Sequence, residues 1–441
     1  MPVSVAIVGS GPAGFYTAEA LLQGSGDVRI DIIERLPTPF GLIRAGVAPD
    51  HQTTKMVARK FETTALREIV HYYGNVEIGR DVHLNELRDM YDAVVLAVGS
   101  PKDRPLGIPG EGKRGVYGSG AFVGWYNGHP DFRDLDPDLD TPAAVVIGAG
   151  NVALDVARVL VKSESEMAVS DLTDYAAEAI RPSAISDVYV LGRRGPVEAK
   201  FTNVELREMG RLESAVPQVD PGQIPVRVGD LDGRDRRLAE KNLNTLREFA
   251  ARRPDDKAKR VHLKFYAAPV EILGDDTVEA VRTERTRVEN GRAIGTGEFE
   301  DIDCGLVVAA IGYRASRIEG VPFDPERGLI PNDDGRIAPG LYAVGWAKRG
   351  PTGVIATNRP DGAACAEQIG VDFPCGIKPG RTALERMLTK RNVRTVSYDD
   401  WQRIDAAEVA SATGCAPRRK FSTLREMLAV LDDSDRERSA G

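Results

Sequence analysis

Cysteine is scarce in this chain: there are four, Cys304, Cys365, Cys375 and Cys415, and no two form a C-x-x-C pair. That excludes a redox centre of the C-x-x-C type and a cysteine-rich iron–sulfur or zinc module. It also argues against a disulfide-stapled secreted fold. Aromatic residues make up only 6%. No apolar run approaches the roughly 18 residues needed to cross a bilayer. The chain enters the strand-like run Val3–Val8 at once, with no signal-peptide pattern ahead of it. The expectation is a cytoplasmic protein without membrane insertion. Excess positive charge is missing too: 58 Lys and Arg against 66 Asp and Glu give a net charge of −8, which disfavours a nucleic-acid partner.

Glycine, in contrast, is plentiful, at 45 of 441 residues, or about a tenth against a usual ~7%. A chain this long suggests two or three domains, and the glycines gather where an α/β protein would turn. The run Val3–Val8 leads into Gly9-Ser10-Gly11-Pro12-Ala13-Gly14, then a helical run Phe15–Leu22 and a second strand Val28–Ile33 that ends at Glu34. This is G-x-G-x-x-G inside a βαβ unit, with an acid at the end of the second strand. A second copy starts at Ala143. Val145–Ile147 reads as strand, Gly148-Ala149-Gly150-Asn151-Val152-Ala153 as the turn, and Leu154–Val161 as helix. The strand Val188–Leu191 is then followed by Gly192-Arg193-Arg194-Gly195.

The two copies carry opposite ribose signals. Glu34 accepts hydrogen bonds from ribose hydroxyls and repels a 2′-phosphate, so the first site suits FAD or NAD. Arg193 and Arg194 present guanidinium forks to a 2′-phosphate, so the second suits NADP; Arg104 is a further candidate for that phosphate. Two different dinucleotides in one chain point to hydride transfer between a nicotinamide and a flavin. A third motif, Gly345-Trp346-Ala347-Lys348-Arg349-Gly350-Pro351-Thr352-Gly353-Val354-Ile355, joins a strand to a helical run through Ala366 and would aim backbone N–H groups at a reduced flavin. Trp346 itself reads equally well as a core residue. Arg234–Arg253 reads as a charged helix ended by Pro254. Arg234–Arg260 holds ten Lys/Arg against five acids, a basic surface suited to steering a small acidic partner. Arg207 and Arg211 would add to it. No metal site is expected.

Together these runs resemble the adrenodoxin reductase-like ferredoxin–NADP reductases. The resemblance rests on Val5–Gly14, Pro39–His51 with its Pro49-Asp50-His51, Gly148–Arg158, Gly192–Pro196 and Gly345–Asn358, and spans roughly residues 1–370. It implies an α/β fold of two Rossmann-like dinucleotide-binding domains, the FAD domain (1–105 and 321–375) interrupted by an inserted NADP domain (106–320). Beyond the resemblance, residues 376–441 read as a C-terminal helical extension ending in a polar tail. The resemblance also implies that NADPH reduces FAD and that FAD passes single electrons to a small acidic ferredoxin. A monomer is expected. Ala13, Glu34, Leu42, Val82, Trp346, Gly353, Val354 and Ile355 match the family's FAD contacts. Gly150–Ala153, Arg193, Arg194 and Glu205 match its NADP contacts, and Gly353 touches that cofactor too. His51 and Glu208 match polar groups near the flavin and nicotinamide. A structural His–carboxylate pair remains the other reading of these two. Disulfide reductases share the architecture but need a cysteine pair. A glutamate synthase-like flavoprotein normally brings a cysteine-rich cluster domain, for which these cysteines do not suffice, and the second dinucleotide unit argues against a flavin-binding redox sensor; the alternative is a flavin-dependent NADPH oxidoreductase or monooxygenase using a small-molecule or oxygen acceptor.

Overall fold

The computed structural model describes residues 1–24 and 26–440, without the side chains of 433–440; the last residue of the expected polar tail, Gly441, lies outside them. The chain divides into two compact units. The first comprises Met1–Lys102, Asn127–Pro130 and Tyr313–Gly441, the second Asp103–Tyr126 and Asp131–Gly312. The crossings thus fall at 102/103 and 312/313 rather than at 105/106 and 320/321, and a four-residue return, 127–130, has no signature in the sequence. Residues from 376 on group with the first unit rather than standing apart.

The first unit is built on a six-stranded sheet. Its strands run in the order Arg336–Ala338, Leu341–Ala343, Ala93–Leu96, Val3–Val8, Val28–Ile33, Val70–Tyr73. All neighbours are parallel except the first pair. Every residue of Val3–Val8 is buried, as a strand bonded on both edges and covered on both faces requires. Its chain order reverses at this strand, which has Ala93–Leu96 on one side and Val28–Ile33 on the other. The crevice beyond its carboxyl end is where open α/β sheets bind ligands. The helix Pro12–Gln23 starts there, earlier than its apolar periodicity suggests, because Pro12 at the first helical position has a preset φ and no N–H to orphan. Phe15 is fully buried and stacks on Phe61 at 5.1 Å, a burial that contributes about 1.5–3 kcal/mol.

The C-terminal extension is stitched into this unit. Asp92 accepts hydrogen bonds from the Ile377 and Lys378 N–H groups at 3.0 and 3.2 Å. Arg381 Nε donates to the buried Asp31 at 2.8 Å, and Tyr91 Oη donates to the other oxygen at 2.7 Å. The helices Tyr398–Ala410 and Leu424–Ala440 follow.

The second unit has an all-parallel sheet ordered Val116–Gly118, Leu306–Ala309, Ala143–Ile147, Asp187–Gly192, Lys259–Phe265, Ala215–Gln218. The helix Asn151–Val161 lies after its central strand. The charged helix spans Gly233–Ala250, and Pro254 opens a 3-10 turn just beyond it. An antiparallel sheet of Ala267–Leu273, Ala280–Glu289 and Arg292–Asp303 completes the unit; no sequence expectation covers it. The signal is nevertheless present. Asn290-Gly291 joins the last two strands with φ of 50° and 73°, the backbone of a two-residue hairpin turn for which Asn-Gly is the preferred pair.

Candidate functional site

At the end of Val3–Val8 the Gly9 N–H donates to Ile33 O at 2.8 Å, tying the turn to the second strand. A methyl at Gly14 would stand 2.1 Å from Gly9 O, whereas one at Gly11 would meet nothing within 4 Å. The third glycine therefore lets the helix close on the turn, and the second leaves room above it. That clear space lies at the N-terminus of a twelve-residue helix capped by Gly11 with no side-chain acceptor, so its first N–H groups are open to an anion. Glu34 closes one side: Oε2 accepts from Ser10 N and Oγ at 3.0 and 2.7 Å, and Oε1 from Leu36 N at 3.2 Å.

The third motif reaches the same turn. A Cβ on Gly345 would come 2.6 Å from Ala13 Cβ, and one on Gly362 would come 2.8 Å from the Tyr16 backbone. The helix Asn358–Asp372 thus crosses Pro12–Gln23 in backbone contact. Trp346 is not in the core. It is half-buried, its ring stacks on Tyr313 at 5.6 Å, and its indole N–H donates to Thr352 O at 3.1 Å. Apolar side chains are left exposed here: Leu42 is 50% and Val354 60% accessible. Ile355 opens the 3-10 turn that leads into the helix, and Gly353 precedes it with φ 86°. Val82 is buried and its carbonyl accepts from Gly79 N at 2.8 Å. His51 is half-buried at the start of the short helix Gln52–Lys55, its N–H donating to Ala48 O. An open glycine turn, an acid beside it and bare apolar residues fit an adenine dinucleotide bearing a flat ring system.

The second unit repeats the turn. Gly148 N donates to Leu191 O at 2.9 Å, and a Cβ on Gly150 would meet nothing within 4 Å. Asn151 Oδ1 accepts from Thr202 N at 2.8 Å, folding the segment that follows Arg194 back over the helix start. Val152 and Ala153 are the next two residues of that helix, and Ala153 is fully buried. Arg193 is exposed, while Arg194 is half-buried and donates to Gly291 O at 3.2 Å. Both therefore stand at the end of the second strand where Glu34 stands in the first unit. Arg104 is exposed, and its backbone N–H is held by Gly312 O at 3.0 Å.

Glu205 and Glu208 lie on the helix Asn203–Met209, capped by Thr202. Their carboxylates each come 3.7 Å from Nη1 of Arg158, which is 1% exposed on the helix Asn151–Val161 and pairs with Asp155 at 2.8 Å. A buried arginine between three acids carries no sequence signal beyond its position, because the partners come from another helix. Cys304 and Cys365 are buried, and burial pushes each thiol up to about 12, far from the thiolate that disulfide chemistry uses.

A family described as pyridine nucleotide-disulphide oxidoreductase matches residues 3–191. The NADPH:adrenodoxin oxidoreductase, mitochondrial, of Arabidopsis thaliana is 42% identical, covering 97% of this chain and 95% of its own. The NADPH-ferredoxin reductase FprA of Mycobacterium tuberculosis is 40% identical over 97% and 99%. Its structure in complex with NADPH superposes with a TM-score of 0.92 at 39% identity, covering 98% of this chain and 99% of that one. The chain belongs to the adrenodoxin reductase-like ferredoxin–NADP reductase family. The likeness runs to almost the full length rather than stopping near residue 370. The family thus includes the extension, whose buried anchors to Asp31 and Asp92 make it part of the first unit.

Proposed function

We propose that this chain is a ferredoxin–NADP reductase that draws hydride from NADPH and delivers single electrons to an iron–sulfur ferredoxin. The observation that carries the reading is the contrast between two like turns, one flanked by Glu34 and the other by Arg193 and Arg194. FAD, when bound in the first unit, supplies the conversion of a two-electron hydride into single-electron steps.

The chain's own residues bind and orient. The N–H groups after Gly11 hold the FAD pyrophosphate, with Gly9, Pro12 and Gly14 shaping the turn, and Glu34 takes the adenosine ribose. Leu42, Val82, Trp346, Gly353, Val354 and Ile355 cover the flavin and keep water from it. In the second unit Gly148, Gly150, Asn151, Val152 and Ala153 hold the NADPH pyrophosphate, Arg193 and Arg194 its 2′-phosphate, with Arg104 as a further contact, and Glu205 positions the cofactor. His51 and Glu208 are taken as the polar groups that meet the reacting rings.

The ferredoxin surface is placed on the helix Gly233–Ala250. Of the ten cations in residues 234–260, six are engaged within the unit: Arg236 with Glu240, Arg247 with Pro225 O and Val226 O, Arg252 with Gly210 O, Lys257 with Leu212 O, Lys259 with Leu160 O, and Arg260 with Asp187. Arg234, Arg236, Arg237 and Lys241 are exposed, as are Arg207 and Arg211, and they supply a field for an acidic partner. The reading takes the enzyme as a cytoplasmic monomer; no helix among the described residues is long and apolar enough to cross a membrane.

The test is purification with its flavin followed by NADPH-driven reduction of a ferredoxin. Heat-released flavin should be FAD. Changing Arg193 and Arg194 together to Ala should raise the KM for NADPH by about tenfold to a hundredfold, from the loss of charged hydrogen bonds, with little change for NADH. FMN in the loaded protein, or equal effects on both nicotinamides, would refute the assignment.

A further inference from the structure

The segment Phe40–Ala45 leans on the first glycine turn in a strained shape. Phe40 and Gly41 have φ of 80° and 50°. A side-chain-bearing residue at such a φ persists only where its surroundings enforce it. The Phe40 N–H donates to Ser10 O at 3.0 Å, and a Cβ on Gly41 would stand 3.1 Å from Gly11 Cα. This corner therefore shapes the space over the turn, and Leu42 follows it directly.

What enforces the corner comes from the far end of the chain. Arg44 Nη1 donates to Glu408 Oε2 at 2.9 Å and Nη2 to Oε1 at 2.5 Å, a two-pronged pair. The guanidinium lies 5.4 Å from the centre of the Trp401 ring, and the Phe40 ring meets Trp401 edge-on at 6.1 Å. Lys420 Nζ donates to Arg44 O at 3.2 Å and to the Asn127 carbonyl at 3.1 Å. Glu408 is wholly buried and Lys420 nearly so. Burial alone would push the Glu408 carboxyl up, but Arg44 and the Phe421 N–H hold it below its usual value. A buried ion pair is weak evidence for stability, since an apolar pair of the same volume often serves as well. What two prongs add is direction: they fix where Arg44, and with it the corner, must stand.

We infer that Glu408 is a positioning residue of the FAD site: seated on the helix Tyr398–Ala410 with Trp401, and seconded by Lys420, it holds Arg44 so that the Phe40–Gly41 corner stays pressed on the Ser10–Gly11 turn. The C-terminal extension is thereby a working part of the cofactor site. The inference rests on the proposal that this turn holds FAD.

The experiment compares full-length Glu408→Gln, Lys420→Met and Leu431→Ala with the unmodified protein. Leu431, buried on Leu424–Ala440, loosens the same extension without entering the ion pair. Three quantities are read: the FAD dissociation constant from reconstitution of the apoprotein, the visible circular dichroism of the bound flavin, and the KM for NADPH. Glu408→Gln should weaken FAD binding by about tenfold or more, equivalent to about 1.4 kcal/mol. It should also change the flavin dichroism and leave the KM for NADPH within about twofold of the unmodified value. Lys420→Met should change the same two quantities by a smaller factor, and decides the matter alone if Glu408→Gln does not fold. Unchanged FAD affinity and dichroism overturn the inference, as does Leu431→Ala loosening FAD equally. An unmodified protein that binds no FAD overturns the proposed function as well, which separates the two failures.

Discussion

The two glycine turns differ at the third small residue of the motif. The third residue of the first helix is Gly14 and that of the second is Ala153. In the first unit a Cβ there would collide with Gly9 O at 2.1 Å; in the second a real Cβ sits fully buried. The first helix therefore closes on its turn by about the width of a methyl group more than the second. The second glycines, Gly11 and Gly150, are alike in facing open space. Within one motif, then, the third position is decided by packing and the second by what must approach from outside.

The largest effect should come from exchanging the third positions. Gly14→Ala forces backbone against backbone, where overpacking costs about 1–3 kcal/mol or more, and should yield a protein that unfolds early and loses its flavin. Ala153→Gly removes one buried methyl and adds helix entropy, about 1–2 kcal/mol together, with NADPH binding nearly intact. Thermal unfolding and flavin content check both. Equal losses from the two changes would erase the distinction.

Exchanging the second positions should separate binding from stability. Gly11→Ala and Gly150→Ala place a methyl where nothing of the protein stands, so the melting temperature should move little, within about 0.5–1 kcal/mol. Gly11→Ala should weaken FAD, and Gly150→Ala should raise the KM for NADPH, each by about tenfold or more if the lost approach costs about 1.4 kcal/mol. A fall in stability without a fall in affinity would show that these glycines serve the turn rather than the ligand.

Both turns were legible in the sequence because their determinants are local: a buried strand, three small residues and the charge at the end of the next strand. Arg193 and Arg194 could be told from Glu34 by position alone. The hairpin at Asn290-Gly291 had a local signal that the surrounding charged residues masked, since its strands alternate poorly and the last is mostly exposed. The grip of Glu408 on Arg44 had none. It spans 364 residues, and neither residue's neighbours distinguish it from a surface charge. Arg158 was hidden in the same way: an arginine on a helix reads as solvated until the facing helix brings Glu205 and Glu208 to it.

The second strands of the two units supply the smallest expected effect and the one with the clearest sign. Each carries an aspartate beside an arginine. Burial raises the carboxyl of Asp31, against the pull of Arg381 and Tyr91. The two-pronged hydrogen bond from Arg260, helped by His262 and Ser186, holds Asp187 well below its usual value of 3.8. A depressed folded value means that Asp187 contributes stability above about pH 4 and loses it as the pH falls through the window below. A raised value reverses the sign: the contribution of Asp31 is complete below its ordinary 3.8 and fades as the pH climbs through the raised value. Melting temperatures of Asp187→Asn and Asp31→Asn, measured against the unmodified protein from about pH 3 to 6, should therefore diverge. The deficit of Asp187→Asn should shrink toward acid, and that of Asp31→Asn should shrink toward neutrality. Parallel profiles would mean that Arg381 outweighs burial at Asp31, making the two aspartates alike in kind, each an ion pair holding a strand edge.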